Sequence, residues 1–330
     1  MTPIPGVPET VLVAPDSFKG TFSATEVAAA IGRGLAAGGR PADLCPAADG
    51  GEGTLDALAA GLGAERHHAE VTDPLERPIQ AEFGLAGEIA IIDTAAASGL
   101  GLVNRADRDA SAATTAGTGE LIVAAIAAGA RTVYLGVGGS ATTDGGAGAV
   151  TAIRRAGGLG DSRLVVLCDV RTPFEDAARV FGPQKGADPG EVKRLTARLN
   201  ALARRLDRDP RGVPMTGAAG GLSGGLWAAF GAELVPGAAF VLDELEFGVR
   251  MRAARAVITG EGKLDMQSLA GKVVSEVATR ARQSGVPCHA VVGTRELDSM
   301  GARILDLDRV MEASTLAEIE AAGRTLAGVL

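Results

Sequence analysis

Short runs of β-branched residues and leucine alternate with alanine-rich stretches from one end of the chain to the other. That alternation predicts an α/β fold with mainly parallel sheet. The strands are expected at Val11–Ala14, Glu88–Asp93, Thr132–Val137, Leu164–Cys168, Ala256–Thr259 and His289–Val292, and helices at Ser23–Ala37, Gly53–Ala60, Gly117–Ala128, Glu191–Leu206 and Gly271–Gln283. The first helix has a defined start: Ser23-Ala24-Thr25-Glu26 fits a capping box, in which two side chains satisfy free N–H groups of the first turn. Strand, then Asp16-Ser17-Phe18-Lys19-Gly20, then capped helix places that loop at the carboxyl end of a strand, the edge where open α/β sheets bind ligands.

Two segments break the pattern. Asp73-Pro74-Leu75-Glu76-Arg77-Pro78 reads as a turn or a chain crossing, and Asp207–Pro214 sets two prolines among charged residues. A length of 330 residues suits two domains. The breaks suggest an inserted domain over 71–239, within a first domain built from 1–70 and 240–330. No repeat of 20–50 residues is evident.

Composition narrows the function. A hydrophobic content of 46% with 22% charge marks a folded, soluble chain. The net charge of −8 argues against nucleic acid and anionic membranes as partners, and one Trp, one Tyr and eight Phe leave little to stack on bases. Three distant cysteines, Cys45, Cys168 and Cys288, read as a reduced, cytoplasmic protein. His67-His68 reads as a solvated pair, not a metal site. The first basic residue is Lys19, which leaves a signal peptide without its charged leader, and no uncharged apolar run reaches the ~18 residues of a membrane span.

The 32 basic residues include only five lysines, and four touch a glycine: Lys19, Lys185 in Gly182-Pro183-Gln184-Lys185-Gly186, Lys263 in Gly260-Glu261-Gly262-Lys263, and Lys272 after Gly271. Lys193 lies in an ordinary charged helix. A compact ammonium beside a close-approaching backbone suits phosphate. Six segments set a carboxylate or lysine among small or polar residues at predicted strand ends, four of them with glycines: Ala14–Lys19, Ala48–Thr54, Gly138–Gly146, Cys168–Val170, Phe181–Ala187 and Thr259–Ser268. A seventh glycine run, Gly217–Gly225, could pass close to a ligand. Phosphoryl transfer needs oxygen ligands for Mg²⁺, donors along the phosphates and a carboxylate or hydroxyl acceptor, and this inventory supplies all three. Walker, protein-kinase and Gly-x-Ser-x-Gly signatures are absent. Gly136–Ala141, with Asp161 beyond it, fits the loose G-x-G-x-x-A dinucleotide pattern, but Thr142–Gly146 follows where an apolar helix should begin.

The ordered motifs Ala14–Lys19, Ala48–Thr54, Gly138–Gly146, Phe181–Ala187, Gly217–Gly221 and Ile258–Lys272 resemble the type I (bacterial) glycerate kinase family. The resemblance runs from about Val11 to Gly293. It implies two α/β domains, one Rossmann-like (the outer) and one flavodoxin-like (the inserted), with the active site in the cleft between them. It implies ATP- and Mg²⁺-dependent phosphorylation of D-glycerate at the 2-hydroxyl, and leaves a homodimer open. On that reading Lys19, Asp144, Asp169, Lys185 and Lys272 are the catalytic candidates, with Asp169 and Asp144 holding metal or activating the hydroxyl. Asp16, Ser17, Asp49, Gly50, Gly51, Glu52, Gly138, Gly139, Ser140, Thr142, Gln184, Gly260, Glu261, Gly262, Asp265, Gln267 and Ser268 are the substrate- and nucleotide-binding candidates. Lys263 stands where arginine also occurs in the family, so its ammonium is expected to be dispensable. The segments 149–163 and 171–180 are shorter or poorer in glycine than the family pattern. Two other classes compete: an NAD(P)-dependent hydroxy-acid dehydrogenase using Gly136–Ala141, and a non-catalytic, effector-binding descendant of a kinase.

Overall fold

The computed structural model describes residues 9–269 and 271–330, with Ser299 and Ala302 described in backbone alone. Residues 1–8, with which the expected outer domain and the leader reading begin, and Ala270 lie outside the described residues. Among the described residues eleven strands form: β1 Val11–Pro15, β2 Ala42–Leu44, β3 Glu65–Thr72, β4 Pro78–Ala86, β5 Ile89–Asp93, β6 Thr132–Gly136, β7 Arg163–Cys168, β8 Glu233–Pro236, β9 Ala256–Leu264, β10 Cys288–Arg295 and β11 Arg309–Glu312. All six strands expected from the hydrophobic pattern are present. Of the five others, β2, β8 and β11 are short, β3 is polar, and β4 opens on a proline.

The chain divides into two compact units, Met1–Asp49 with Asp56–Gly61 and Ala238–Leu330, and Gly50–Leu55 with Leu62–Gly237. The first holds a five-stranded sheet in the order β11-β10-β9-β1-β2, with every pairing parallel. Val11, Val13, Ile258 and Val291 from its strands pack with Ile31 and Leu35 of helix Ala24–Ala37 and Leu326 of helix Leu316–Ala327. The expected cap holds: Ser23 Oγ accepts the Glu26 N–H, and Glu26 accepts the Ser23 N–H. Two helices lie close enough here that a Cβ at Gly34 would stand 2.0 Å from the Glu320 carbonyl.

Numbered within its own unit, this sheet reads 2-1-3-4-5. That is a doubly wound parallel order with a single switch point. Alternating strands and helices announce parallel sheet but carry no signal for which neighbour each strand takes. The second unit holds a six-stranded sheet in plain chain order, β3-β4-β5-β6-β7-β8. Its first two pairings are antiparallel and the rest parallel. The expected break at Asp73–Pro78 is the turn joining β3 to β4: the Asp73 carboxylate accepts the Leu75 and Arg77 N–H groups while Glu76 takes φ 62°. His67 lies on β3 and stacks on Phe83, with ring centroids 5.4 Å apart, and His68 is exposed.

His289, on β10, is buried and neither ring nitrogen has a hydrogen-bond partner. Burial lowers its pKa, with Asp308 opposing and Arg309 assisting. The neutral ring is therefore the folded form, and its contribution to stability is lost as pH falls below the unfolded value of 6.5. His289→Leu should flatten the loss of unfolding free energy between pH 7 and 5 relative to wild type, measured by urea titration. Equal slopes for both proteins would refute the assignment.

Candidate active site

The chain leaves β1 toward β2 on one side and later returns at β9 on the other, so the outer sheet has its topological switch point between β1 and β9. Open α/β sheets bind ligands outside the carboxyl ends of strands at that point. A cavity of about 420 Å³ lies there, lined by Asp16, Ser17, Lys19, Glu261, Gln267 and Lys272 among others. Asp16 and Ser17 follow β1 directly, and the Asp16 carboxylate accepts the Ser17 N–H at 2.7 Å. Lys19 reaches Asp49 at 3.2 Å and Lys272 approaches the same oxygen at 3.9 Å. Asp49 is 1% exposed while Lys19 is 54% exposed, so a buried carboxylate holds a solvent-facing cation.

Burial, reinforced by Asp49, pushes the Asp16 pKa up, against the pull of Lys19. Burial also raises Glu261 to about 7, opposed by a Ser268 hydrogen bond and the Lys272 charge. The buried Glu261 Oε1 has no hydrogen-bond partner. Thr259–Lys263 was expected as a loop at a strand end but runs inside β9. Its glycines serve close strand approach: a Cβ at Gly260 would meet the Val291 carbonyl at 2.2 Å, and one at Gly262 the Phe18 Cα at 3.1 Å. Beyond the strand the Asp265 N–H donates to Ser268 Oγ at 3.0 Å and the Gln267 N–H to Asp265 at 2.8 Å, shaping the turn toward the cavity. Lys263 lines the cavity but pairs with Glu296 at 2.9 Å.

In the inner unit Lys185 is 3% exposed and donates to Ser140 Oγ at 2.9 Å and the Thr142 carbonyl at 2.5 Å. Its segment, Phe181–Ala187, lies between two helices and not at a strand end. Asp144 Oδ2 accepts the N–H groups of Thr115 and Gly148 and the Thr115 hydroxyl, and Oδ1 accepts the Gly146 N–H. These donors hold the carboxylate in place at the head of its loop, most of them on Oδ2. Asp169 lies half-buried just after β7, and Gln184 and Glu52 are exposed. Gly50, Gly51, Gly138 and Gly139 bring two loops into contact: a Cβ at Gly138 would stand 2.4 Å from Gly51 Cα and 3.1 Å from Glu52 N. That contact fills the space a pyrophosphate would need at Gly136–Ala141, and the next helix begins only at Ala147, which removes the support for a dinucleotide site. The run Gly217–Gly225 likewise packs against Thr142–Gly146 and Phe174.

Several contributors escape the motif reading. Thr294 and Ser314 line the outer cavity, and Asp93 accepts the Gly53 and Leu55 N–H groups. Asp93 and Thr294 close strands whose cores the hydrophobic pattern marks, so a search of strand-end polar residues finds both. Ser314 follows a strand too short to leave that signal.

Comparison with known proteins agrees with this architecture. The glycerate kinase family model matches residues 11–156 and 154–323. Glycerate 2-kinase of Escherichia coli K12 is 40% identical over 86% of this chain and 85% of its own, and a glycerate kinase of Halalkalibacterium halodurans is 36% identical over 97% and 98%. A solved structure from Salmonella typhimurium LT2, provisionally assigned as glycerate kinase 2, superposes with a TM-score of 0.83 at 34% identity, covering 98% of both chains. The fold and these relatives define an α/β enzyme of the kinase class. Within that class, the chain belongs to the glycerate kinase family.

Proposed function

We propose that the protein transfers the γ-phosphoryl group of ATP to the 2-hydroxyl of D-glycerate, with Mg²⁺ as cofactor. The observation that carries this reading is the cavity at the β1/β9 switch point, where Lys19 and Lys272 converge on buried Asp49 beside two further acids. The relatives' names support the acceptor and the position of transfer. Three buried, unpaired cysteines accord with a cytoplasmic enzyme, no helix among the described residues is long and apolar enough to cross a membrane, and the negative charge fits a small-molecule substrate better than nucleic acid.

The residues fit Mg²⁺. Glu261 offers a buried oxygen without a donor, and Asp16 a second hard oxygen in the same cavity. No group of three or more metal-binding side chains occurs among the described residues. A pair of carboxylates with phosphate oxygens and water completing the shell is the usual Mg²⁺ arrangement. When bound, the ion neutralises charge on the phosphates. Lys19 and Lys272 supply donors to the transferring group. Asp144 anchors its loop, and Asp169 remains the inner unit's acid proposed for hydroxyl activation.

The test is ADP release by purified protein with Mg-ATP and D-glycerate, with ³¹P NMR separating 2- from 3-phosphoglycerate. No ADP, or nicotinamide reduction instead, would sink the kinase reading. The raised acids add a second check. With its pKa near 7, folded Glu261 holds more proton than the unfolded chain between pH 4.5 and about 7, so it costs stability as pH rises through that window. Glu261→Gln should raise Tm at pH 8 while lowering kcat at least about 100-fold. A lower Tm with activity retained would contradict the role.

A further inference from the structure

Arg108 lies in a charged segment, Asn104–Asp109, that reads as plain surface. Its side chain is half-buried, its Nε is fully buried without a hydrogen-bond partner, and no acidic group pairs with it among the described residues. It stands against the lysine loop: a Cβ at Gly186 would meet Arg108 Cβ and its carbonyl at 3.4 Å. Arg108 and Lys185 line one narrow recess of about 180 Å³, open solvent included, with Val103 and Ala141 among its walls. Lys185 spends two donors on neutral oxygens, Ser140 Oγ and the Thr142 carbonyl. Asp109, on the rim, turns its carboxylate to the Ser111 and Ala112 N–H groups, and Asp144 is committed to its own loop.

Two cations thus share a sheltered recess with no carboxylate in contact. Burying charge without a counter-ion is costly, and a guanidinium fork beside an ammonium is suited to a planar anion. We propose that Arg108 and Lys185 form the subsite for the carboxylate of the acceptor acid, with Arg108 selecting hydroxy acids over neutral polyols. The recess is far too small for a nucleotide. As the walls stand no water fits between them, so the anion enters as the half-exposed Arg108 side chain swings outward. The assignment rests on the glycerate kinase reading and names where that substrate's acid group is held.

The experiment measures both catalysis and binding. Arg108→Gln should raise KM for D-glycerate by about 10- to 100-fold, the loss expected for a charge-assisted contact, with KM for ATP and Tm unchanged. Arg108→Lys should recover part of the loss. Without nucleotide, calorimetric titration should show wild type binding D-glycerate but not glycerol, and Arg108→Gln binding neither. Unchanged D-glycerate binding in Arg108→Gln overturns the subsite, whatever the ADP assay gives. A rise in KM for ATP alone, with inorganic phosphate binding lost in the variant, overturns it in favour of a phosphate site. Binding that depends on Arg108 in a protein releasing no ADP would keep the subsite and remove the kinase reading.

Discussion

Lys185→Arg should lower kcat/KM for D-glycerate by about 100- to 1000-fold, although arginine keeps the charge. The ammonium fills a site only 3% open to solvent and is held at 2.5 and 2.9 Å by two oxygens. A guanidinium is longer and planar and cannot place one nitrogen at both distances, and overpacking a tight site costs about 1–3 kcal/mol. Each lost contact to the charged group adds about 1.5–3 kcal/mol. Lys185→Met separates charge from shape. It removes a buried cation whose desolvation burdens the fold, so its Tm should equal or exceed that of wild type while activity disappears. Burial pushes the Lys185 pKa down to about 7, with Asp144 pulling upward. The unfolded chain therefore holds more protons between pH 7 and 10.5, and stability rises with pH across that window. Activity, which needs the ammonium, falls over the same window. With Glu261 requiring the opposite protonation change, kcat/KM should peak near pH 7. Steady-state kinetics and melting curves on both variants check these outcomes; near-normal turnover in Lys185→Arg would remove the lysine from the site.

The sequence carries some of this site and hides the rest for physical reasons. Asp16 and Lys19 are legible because a strand, a short polar loop and a capped helix follow one another without ambiguity. Glu261 is legible as a motif but not as a position. Gly260 and Gly262 look like turn residues, whereas they let β9 run between β1 and β10, so glycine marks close approach here and not a bend. Lys185 is flagged by its glycine neighbours, which suggest an open loop, yet it is among the most buried charges in the chain; burial depends on Ser140 and Thr142, more than 40 residues away. Arg108 leaves no signal, since a charged run is the ordinary composition of surface. The sheet order and the β3–β4 hairpin are hidden too. Glu65–Thr72 is polar along an outer edge, and strand order follows from long-range pairing that local pattern does not encode.

Gly220→Ala should destabilise the protein by about 3–5 kcal/mol and weaken the site with it. Gly220 holds φ 67° near the start of helix Ala218–Phe230, between Ala219 at φ 50° and Gly221 at φ 91°. A methyl group there carries left-handed strain of about 1–2 kcal/mol. It would also stand 2.0 Å from the Thr142 carbonyl oxygen and 2.8 Å from Thr143 Cα, both backbone and unable to yield as a side chain would. The Gly145 N–H donates to the Gly220 carbonyl at 3.1 Å, tying the same two segments together. Relief must come from moving Thr142, whose oxygen accepts from Lys185 at 2.5 Å. The loss should therefore spread: Tm falls, and the D-glycerate KM rises with it while KM for ATP holds. Gly231, the C-cap of the same helix, provides the control. It has φ 68° but nothing within 4 Å of its Cβ position, so Gly231→Ala carries the strain without the collision and should cost only about 1 kcal/mol. Equal losses in the two variants would mean that backbone strain alone accounts for Gly220, and that the glycine run does not hold the Lys185 acceptor in place.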